Sequence, residues 1–212
     1  MKKYELTSET KVINGVELHR IKALKSFGNI KEGDLGGWIE SEKNLSQDGD
    51  AWVGGNAKVC GNAWVGYNAR VDRDATVRGN ATVSGNAKVE DYAKVYDNAI
   101  VSDKAIVSGN ATISGNATIN GDAVVCGNAK VRGKEDYIVF KNWWSSGRYF
   151  TWTRSNNKWN VGCFMGTGEE LIAKAYKDSE KSGREYERVV KYVNDILKEE
   201  DNDNGNRNKC ED

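Results

Sequence analysis

The sequence predicts a mainly β protein, in which a parallel β-helix is followed by a small C-terminal α+β module. The main observation is a run of fourteen six-residue units, which extends without insertion from Gly49 to Arg132. The third residue of each unit is always Ala, and the fifth is always Val or Ile. The first residue is most often Gly, and the second is most often Asn. A short period kept over such a length is typical of a solenoid.

Each unit has the pattern of a short strand followed by a corner. Its Ala and its Val lie two positions apart, so they point to the same side of an extended chain. Gly and Asn tolerate left-handed backbone conformations, which a sharp bend requires. Flat hairpins would leave the Ala and Val face in water, whereas coiling encloses that face. We therefore predict a coil.

The spacing of aliphatic and small residues resembles that of the hexapeptide-repeat proteins. In that family an aliphatic residue is followed four positions later by a small one, as in Val53 to Ala57. The resemblance implies a left-handed parallel β-helix with three units in each triangular coil. Fourteen units then make between four and five coils. Residues 37–48 resemble a degenerate starter coil, so the β-helix is predicted over 37–132.

The segment before the array is predicted to be a cap. Residues 1–36 do not repeat, and they contain Asn14-Gly15 between two apolar runs, which is a strong two-residue hairpin signal. The end of a solenoid exposes unpaired backbone and core, so we expect a β-hairpin cap there.

The segment after the array has a mixed pattern. Residues 133–200 are predicted to form a three-stranded sheet and two helices. We expect Thr167 and Ser182 to begin the helices, because each is followed three positions later by Glu. Residues 201–212 are rich in Asp and Asn and are predicted to be a disordered tail.

Composition excludes some classes of function. The chain has 212 residues, with 31 basic and 31 acidic side chains, so bulk nucleic-acid binding is not expected. No signal peptide or long apolar run is present, which favours a cytoplasmic protein without membrane contact. The four cysteines are widely spaced, and we expect reduced thiols at Cys60, Cys126, Cys163 and Cys210.

The whole chain resembles a type of protein that is common in phages and prophages of Gram-positive bacteria. The likeness lies in the array, in the opening LTSETKVINGVELHRIKALKSFGNIKEGDLGGWIE, and in the closing YIVFKNWWSSGRYFTWT and GCFMGTGEELI. It implies a phage-type protein that works in the host cell cytoplasm. No established activity comes with this resemblance.

Acyl transfer is one candidate function, because many hexapeptide-repeat proteins are acyltransferases. The resemblance implies a His base on the helix wall and an extended loop that builds the acyl-donor site. This chain has one His, His19, in the predicted hairpin, and its array has neither a His nor an inserted loop. We therefore predict a protein that is not an enzyme, with no catalytic residue, no metal and no cofactor. An acyltransferase is kept as the alternative, and a structural virion component as a second one.

Outward residues that lie eighteen positions apart share one wall of the coil. One column is uncharged, which suits self-association, and we predict a homo-oligomer, a trimer, through Trp64, Thr82, Ile100 and Thr118. Another wall is basic and carries an aromatic residue, which suits an anion. Its predicted ligand-binding residues are Lys58, Lys94 and Lys130 in one column and Arg78, Tyr96 and Arg132 beside it. The alternative for both walls is an ordinary solvated surface.

An aromatic cluster in the C-terminal segment is a further candidate. Trp143, Trp144 and Arg148 are predicted to assist ligand binding, since bases or a partner protein can stack on such side chains. The alternative is the core of a small sheet packed on two helices. We predict a nonenzymatic phage-type protein whose β-helix is a platform. It would sequester a small anionic, nucleotide-like signal or block a host protein, in a counter-defence role.

Overall fold

A computed structural model describes residues 2–207 of the chain, with side chains for residues 2–200. Its largest part is a parallel β-solenoid of about five turns, which confirms the predicted fold class. A small module with one antiparallel sheet and two helices follows the solenoid. The described part of the chain has no helix long and apolar enough to cross a membrane.

Three parallel sheets form the walls of the solenoid, and each takes every third strand of the array. The first wall contains β5 (Lys58–Val59), β8 (Thr76–Val77), β11 (Lys94–Val95), β14 (Thr112–Ile113) and β17 (Lys130–Val131). The second wall contains β4 (Trp52–Val53), β7 (Arg70–Val71), β10 (Lys88–Val89), β13 (Ile106–Val107) and β16 (Val124–Val125). The third wall contains β6 (Trp64–Val65), β9 (Thr82–Val83), β12 (Ile100–Val101) and β15 (Thr118–Ile119). Paired residues lie eighteen positions apart, as in Lys58 and Thr76, so each coil contains three units.

The inside and the corners of the coil explain the repeat. In every unit the Ala is at most 1% exposed, and the Val or Ile is fully buried. The first residue of every unit has a φ between +57° and +71°, whether it is Gly or not. Gly adopts this left-handed conformation without strain, which is why most units begin with it. Asn side chains at the second position form ladders between coils, as where Asn62 Nδ2 donates to Asn80 Oδ1 at 3.1 Å.

The N-terminal segment extends the first wall. β1 (Tyr4–Ile13) and β2 (Val16–Ala23) form an antiparallel hairpin, and β2 also pairs with β3 (Leu35–Ile39). β3 pairs in parallel with β5, so the hairpin and the first wall make one eight-stranded sheet. Trp38 pairs with Lys58, twenty positions on, so the first coil is two residues longer than the others.

The C-terminal module lies across the last coil. Its sheet contains, in order, β18 (Tyr137–Lys141), β19 (Tyr149–Thr153), β20 (Lys158–Val161) and β21 (Phe164–Gly166). Thr151 Oγ1 accepts a hydrogen bond from Val124 N at 3.0 Å, and Ser155 Oγ accepts one from Lys130 N at 2.6 Å. These bonds satisfy backbone groups that the end of a solenoid would otherwise leave unpaired.

The module's sheet has four strands rather than the predicted three. The additional strand β21 follows β20 across a two-residue turn, Gly162-Cys163, in which Gly162 has a φ of +59°. A three-residue strand that ends in Gly is too short to show a β pattern in the sequence.

Two helices, α1 (Gly168–Asp178) and α2 (Glu180–Arg207), pack against the sheet. Thr167 caps α1 as predicted: its Oγ1 accepts from Glu170 N at 3.2 Å, and Glu170 Oε2 accepts from Thr167 N at 2.7 Å. The prediction for α2 is wrong, because this helix begins after Ser179, whose Oγ accepts from Ser182 N at 3.1 Å. One residue, Ser179, separates the two helices. It therefore directly precedes the first backbone N–H groups of α2, which have no partner within the helix.

Helix α2 continues to Arg207, so the tail predicted over 201–212 begins too early. Arg154 Nη1 pairs with Glu200 Oε2 at 2.7 Å, which holds this part of the helix against the module. Each further helical residue then adds a backbone hydrogen bond without a new nucleation cost. Residues 208–212 of the predicted tail lie outside the described residues.

Candidate anion-binding face

The first wall of the solenoid carries a shallow groove of about 270 Å³ on its outer surface. The fourth and sixth positions of each unit face outwards here and contribute basic and hydroxyl side chains. The groove is lined by Arg78, Lys94, Tyr96, Thr112, Ser114, Lys130 and Arg132. Five of these seven residues belong to the predicted ligand-binding set, so the coil brings most of that set together.

The strand register sets the spacing of charges along the groove. Lys94 of β11 lies between Thr76 and Thr112 in the ladder, and Lys130 of β17 follows Thr112. Strands of a sheet lie about 4.8 Å apart, so the backbones that carry Lys94 and Lys130 stand about 10 Å apart. The groove therefore alternates ammonium groups with hydroxyl groups.

Tyr96 and Ser114 give the groove a fixed floor. Ser114 is only 4% exposed, and Tyr96 is half-buried. The Arg78 guanidinium carbon lies 4.5 Å from the centre of the Tyr96 ring, which is a cation–π contact. Stacking limits the conformations of the guanidinium, while its N–H donors stay available to an oxyanion.

The groove's four cations have no acidic partner among the side chains that the structure describes. Between residues 2 and 200, no carboxylate lies within ion-pair distance of any of them. Lys94 and Lys130 are exposed. An anion that enters the groove therefore does not have to displace an internal ion pair, whose separation would cost free energy.

A larger cavity of about 410 Å³ lies between the second wall and the segment at Gly28 and Asn29. Its arginine is already paired, because Arg70 Nε donates to Asp72 Oδ2 at 3.2 Å and Nη1 donates to Asn29 Oδ1 at 2.6 Å. Glu90 also lines it, so negative charge balances positive charge. We prefer the smaller groove as the anion site for this reason.

The remaining predicted site residues lie elsewhere. Lys58 is on the same wall in β5, towards the hairpin. Trp143, Trp144 and Arg148 lie in the loop between β18 and β19, and none of them lines the groove. Trp143 is 70% exposed. Arg148 lines a separate cleft of about 210 Å³ in the module.

Trp144 contributes to the core of the C-terminal module rather than to the groove. It is half-buried, and its ring meets Phe150 and Tyr186 edge to face, with centroid distances of 6.0 Å and 5.0 Å. Trp152 and Trp159 are buried in the same core. The aromatic cluster is therefore mainly core, which was the alternative to a binding role.

Three residues of the first wall were missed by the sequence analysis. Lys11, Arg20 and Trp38 lie in the hairpin and in β3, where they form a cluster next to Lys58. The repeat carries no signal for them, because neither the hairpin nor the longer first coil follows the eighteen-residue spacing.

The third wall is uncharged along its whole length. The predicted interface residues Trp64, Thr82, Ile100 and Thr118 stand in one ladder, in β6, β9, β12 and β15. The neighbouring outward column is also uncharged and contains Gly66, Ser84, Ser102 and Asn120. Ile100 is 39% exposed. Apart from Trp64, the wall thus presents small, polar and β-branched side chains.

His19 is on β2 of the hairpin, paired with Thr10 and Ile39 in the neighbouring strands, and not on an array wall. Between residues 2 and 200, no three His, Cys, Asp or Glu side chains are grouped as a metal would require. Three of the four thiols are free, at Cys60, Cys126 and Cys163, and Cys210 lies outside the described residues.

A comparison with protein families agrees with the fold. A family model described as the YdcK β-solenoid repeat matches residues 93–109 and 111–127, two stretches inside the array. The match and the structure together define a β-solenoid repeat protein. No curated protein matches the chain.

Proposed function

We propose that this protein is a nonenzymatic binding protein of the hexapeptide-repeat type, which holds a small nucleotide-like anion in the groove of the first wall. The observation that carries the proposal is the convergence on one groove of four cations that have no acidic partner between residues 2 and 200. Each charge-assisted hydrogen bond contributes about 1.5–3 kcal/mol, so two or three of them suffice for useful affinity. A rigid ladder also limits the entropy lost on binding.

The biological role follows from the resemblance of the chain to phage-type proteins. Such a protein acts in the host cytoplasm, where it removes a small anionic signal or covers a host protein as a counter-defence. A binding role of this kind requires affinity and abundance rather than a catalytic group. The basic and hydroxyl side chains of the groove support such a role, because they are groups that bind anions.

The third wall supports a proposal of self-association as a trimer. Flat uncharged walls on three copies can pack together without burying an unpaired charge. Ile100→Lys would place an ammonium group in that interface and should convert the oligomer to monomers, as measured by light scattering. The matched control is Ile106→Lys on the second wall, which should keep the assembly. A monomeric mass for the natural protein would refute this proposal.

The binding proposal is tested by identifying what the purified protein carries. Heating should release a small anionic molecule, which mass spectrometry identifies and calorimetry then titrates back. Arg78→Ala with Lys94→Ala should abolish binding while the thermal melt stays nearly unchanged, since both side chains are exposed. Lys88→Ala, an exposed lysine on the second wall, is the control and should bind normally. Natural affinity in the double variant would show that the groove is only a solvated surface.

The acyltransferase alternative is tested with acetyl-coenzyme A. A binding protein should neither bind this cofactor nor release its thiol. Thiol release that is lost in His19→Ala would favour the enzyme instead.

A further inference from the structure

The eight-stranded sheet carries a second group of cations next to Trp38. We name this group together with the tryptophan the Trp38 cluster; its residues are Lys11, Arg20, Lys58 and Trp38. Lys11 Nζ lies 3.8 Å from the centre of the Trp38 ring, and the Arg20 guanidinium carbon lies 5.4 Å from it. In the strand register, Trp38 stands between Arg20 of β2 and Lys58 of β5. Two basic side chains therefore lie over the indole ring, and a third, Lys58, is carried by the next strand.

The Lys11 ammonium group of the Trp38 cluster is acted on by two other cations and by two carboxylates. Arg20 Nη1 pairs with Glu9 Oε1 at 3.4 Å, and Asp74 offers a more distant charge. Burial, and then the positive charges of Lys58 and Arg20, lower the pKa of Lys11 to about 8. Like charges crowded beside a low-dielectric ring raise the free energy of the unbound state, and an anion would relieve it.

The indole N–H of Trp38 is a second, independent observation that points to a ligand. It is 7% exposed, and its indole N–H has no hydrogen-bond partner among the described residues. Buried polar groups in folded proteins are almost always paired, because an unpaired buried donor costs about 1–3 kcal/mol. An oxyanion supplies the acceptor that such a donor lacks.

The Trp38 cluster and the groove share one continuous ladder. Its register runs through Arg20, Trp38, Lys58, Thr76, Lys94, Thr112 and Lys130. At about 4.8 Å per strand, Trp38 and Lys94 lie about 14 Å apart on the same wall. Arg78 stands between them in the neighbouring column. A linear ligand with repeated anionic groups can therefore touch both places at once.

We propose that the Trp38 cluster is a second anion subsite, and that the natural ligand is a linear chain of phosphate groups reaching from the groove to this cluster. The inference rests on the proposed function, since the groove would bind one part of the phosphate chain. It is compatible with the zero net charge of the protein, because it requires only the few basic side chains that stand on this one sheet. Two sources of such a chain are a short single-stranded oligonucleotide and inorganic polyphosphate.

Binding of probes with one or many phosphates tests this inference. The probes are thymidine monophosphate, oligothymidylates of increasing length, and polyphosphate, measured by calorimetry with the full-length protein. Affinity should rise at least tenfold from the monophosphate to the longer chains. If both polymers bind, the phosphate chain itself is recognised, and if only the oligothymidylates bind, the source is nucleic acid. Equal affinity for all lengths would overturn the inference.

The variant Lys11→Gln with Lys58→Gln isolates the second subsite. It should lower the affinity for the longer phosphate chains about tenfold and leave the affinity for the monophosphate unchanged. The slope of log affinity against log salt concentration should become shallower by about 0.7 for each lost contact. Lys88→Gln is the control, and circular dichroism verifies that each variant is folded. If the double variant bound the longer phosphate chains with the affinity of the natural protein, the second subsite would be refuted. Monophosphate binding that depends on Arg78 and Lys94 would still support the proposed function, whereas no binding of any probe would refute both.

Discussion

The two ends of the solenoid are closed in different ways. At the N-terminal end the first wall simply continues, through β3 into the hairpin, and the preceding residues insert polar groups into the first coil. Lys3 Nζ donates to the carbonyl oxygens of Asp48, Gly49 and Ala51, at 3.4, 3.2 and 2.9 Å. At the C-terminal end a separate sheet lies across the core, with its own aromatic core behind it.

This difference separates two kinds of stability. The hairpin shares both a sheet and a core with the array, so we expect it to unfold together with the first coils. The C-terminal module has a core of its own, built on Phe150, Trp152 and Trp159. We expect it to unfold as a unit while the solenoid remains folded.

Trp159→Ala should have the largest effect and should act on the module alone. Trp159 is 1% exposed and packs on Phe140 and Phe150, so truncation should cost about 4 kcal/mol of the module's unfolding free energy. Amide exchange should become fast in the module and stay slow in the array. Trp143→Ala, an exposed tryptophan of the same module, should change little. Loss of protection in the array as well would show that the two regions unfold together.

Lys3→Met should destabilise the other end by about 3 kcal/mol. The substitution keeps the buried volume but leaves three backbone carbonyls without their ammonium donor. Because the hairpin shares its core with the array, urea unfolding should shift for the whole solenoid. Lys2→Met removes an exposed ion pair with Glu42 and should cost less than 1 kcal/mol. A shift confined to the hairpin would contradict the shared core.

One matched pair of hydroxyl deletions compares the two ends directly. Tyr4 OH donates to Leu45 O at 2.7 Å at the N-terminal end, and Thr151 Oγ1 accepts from Val124 N at the C-terminal end. Tyr4→Phe and Thr151→Val should each cost about 1–2 kcal/mol, because each leaves one backbone group unpaired. Amide exchange should show that Tyr4→Phe lowers protection in the array and that Thr151→Val lowers it mainly in the module. If Tyr4→Phe instead lowered protection in the module and Thr151→Val lowered it in the array, the proposed difference between the two ends would be wrong.

Tyr67→Gly should have the smallest effect and should depend on neither end. Tyr67 begins a unit with a φ of +58°, a conformation that costs a non-Gly residue about 1 kcal/mol. The gain should reach at most about 1 kcal/mol in thermal unfolding, because Gly also loses more chain entropy. Asp103→Gly should gain less, since Asp103 Oδ2 accepts from Gly121 N at 2.9 Å. A destabilised Tyr67→Gly would mean that the contact of Tyr67 with Trp64 outweighs the strain.

The sequence by itself determined the solenoid and most of the groove. A six-residue period places Ala and Val inside and favours a left-handed backbone conformation at each first residue. The eighteen-residue repeat of each wall follows from the three units per coil that the resemblance to hexapeptide-repeat proteins implies, and the strand register confirms it. Lys94, Lys130 and Arg78 can therefore be assigned to one wall from the sequence. Once three units make a coil, every coil copies the register of the one before it.

Only the tertiary structure decided what lies beside the array. The longer first coil brings Trp38 opposite Lys58, and the hairpin then brings in Lys11. The loop that carries Trp144 and Arg148 was assigned to the ligand site, yet the sheet directs one side chain into a core and the other into a separate cleft. These contacts join segments without a common period. Their positions depend on turns and packing between distant parts of the chain, which no repeat specifies.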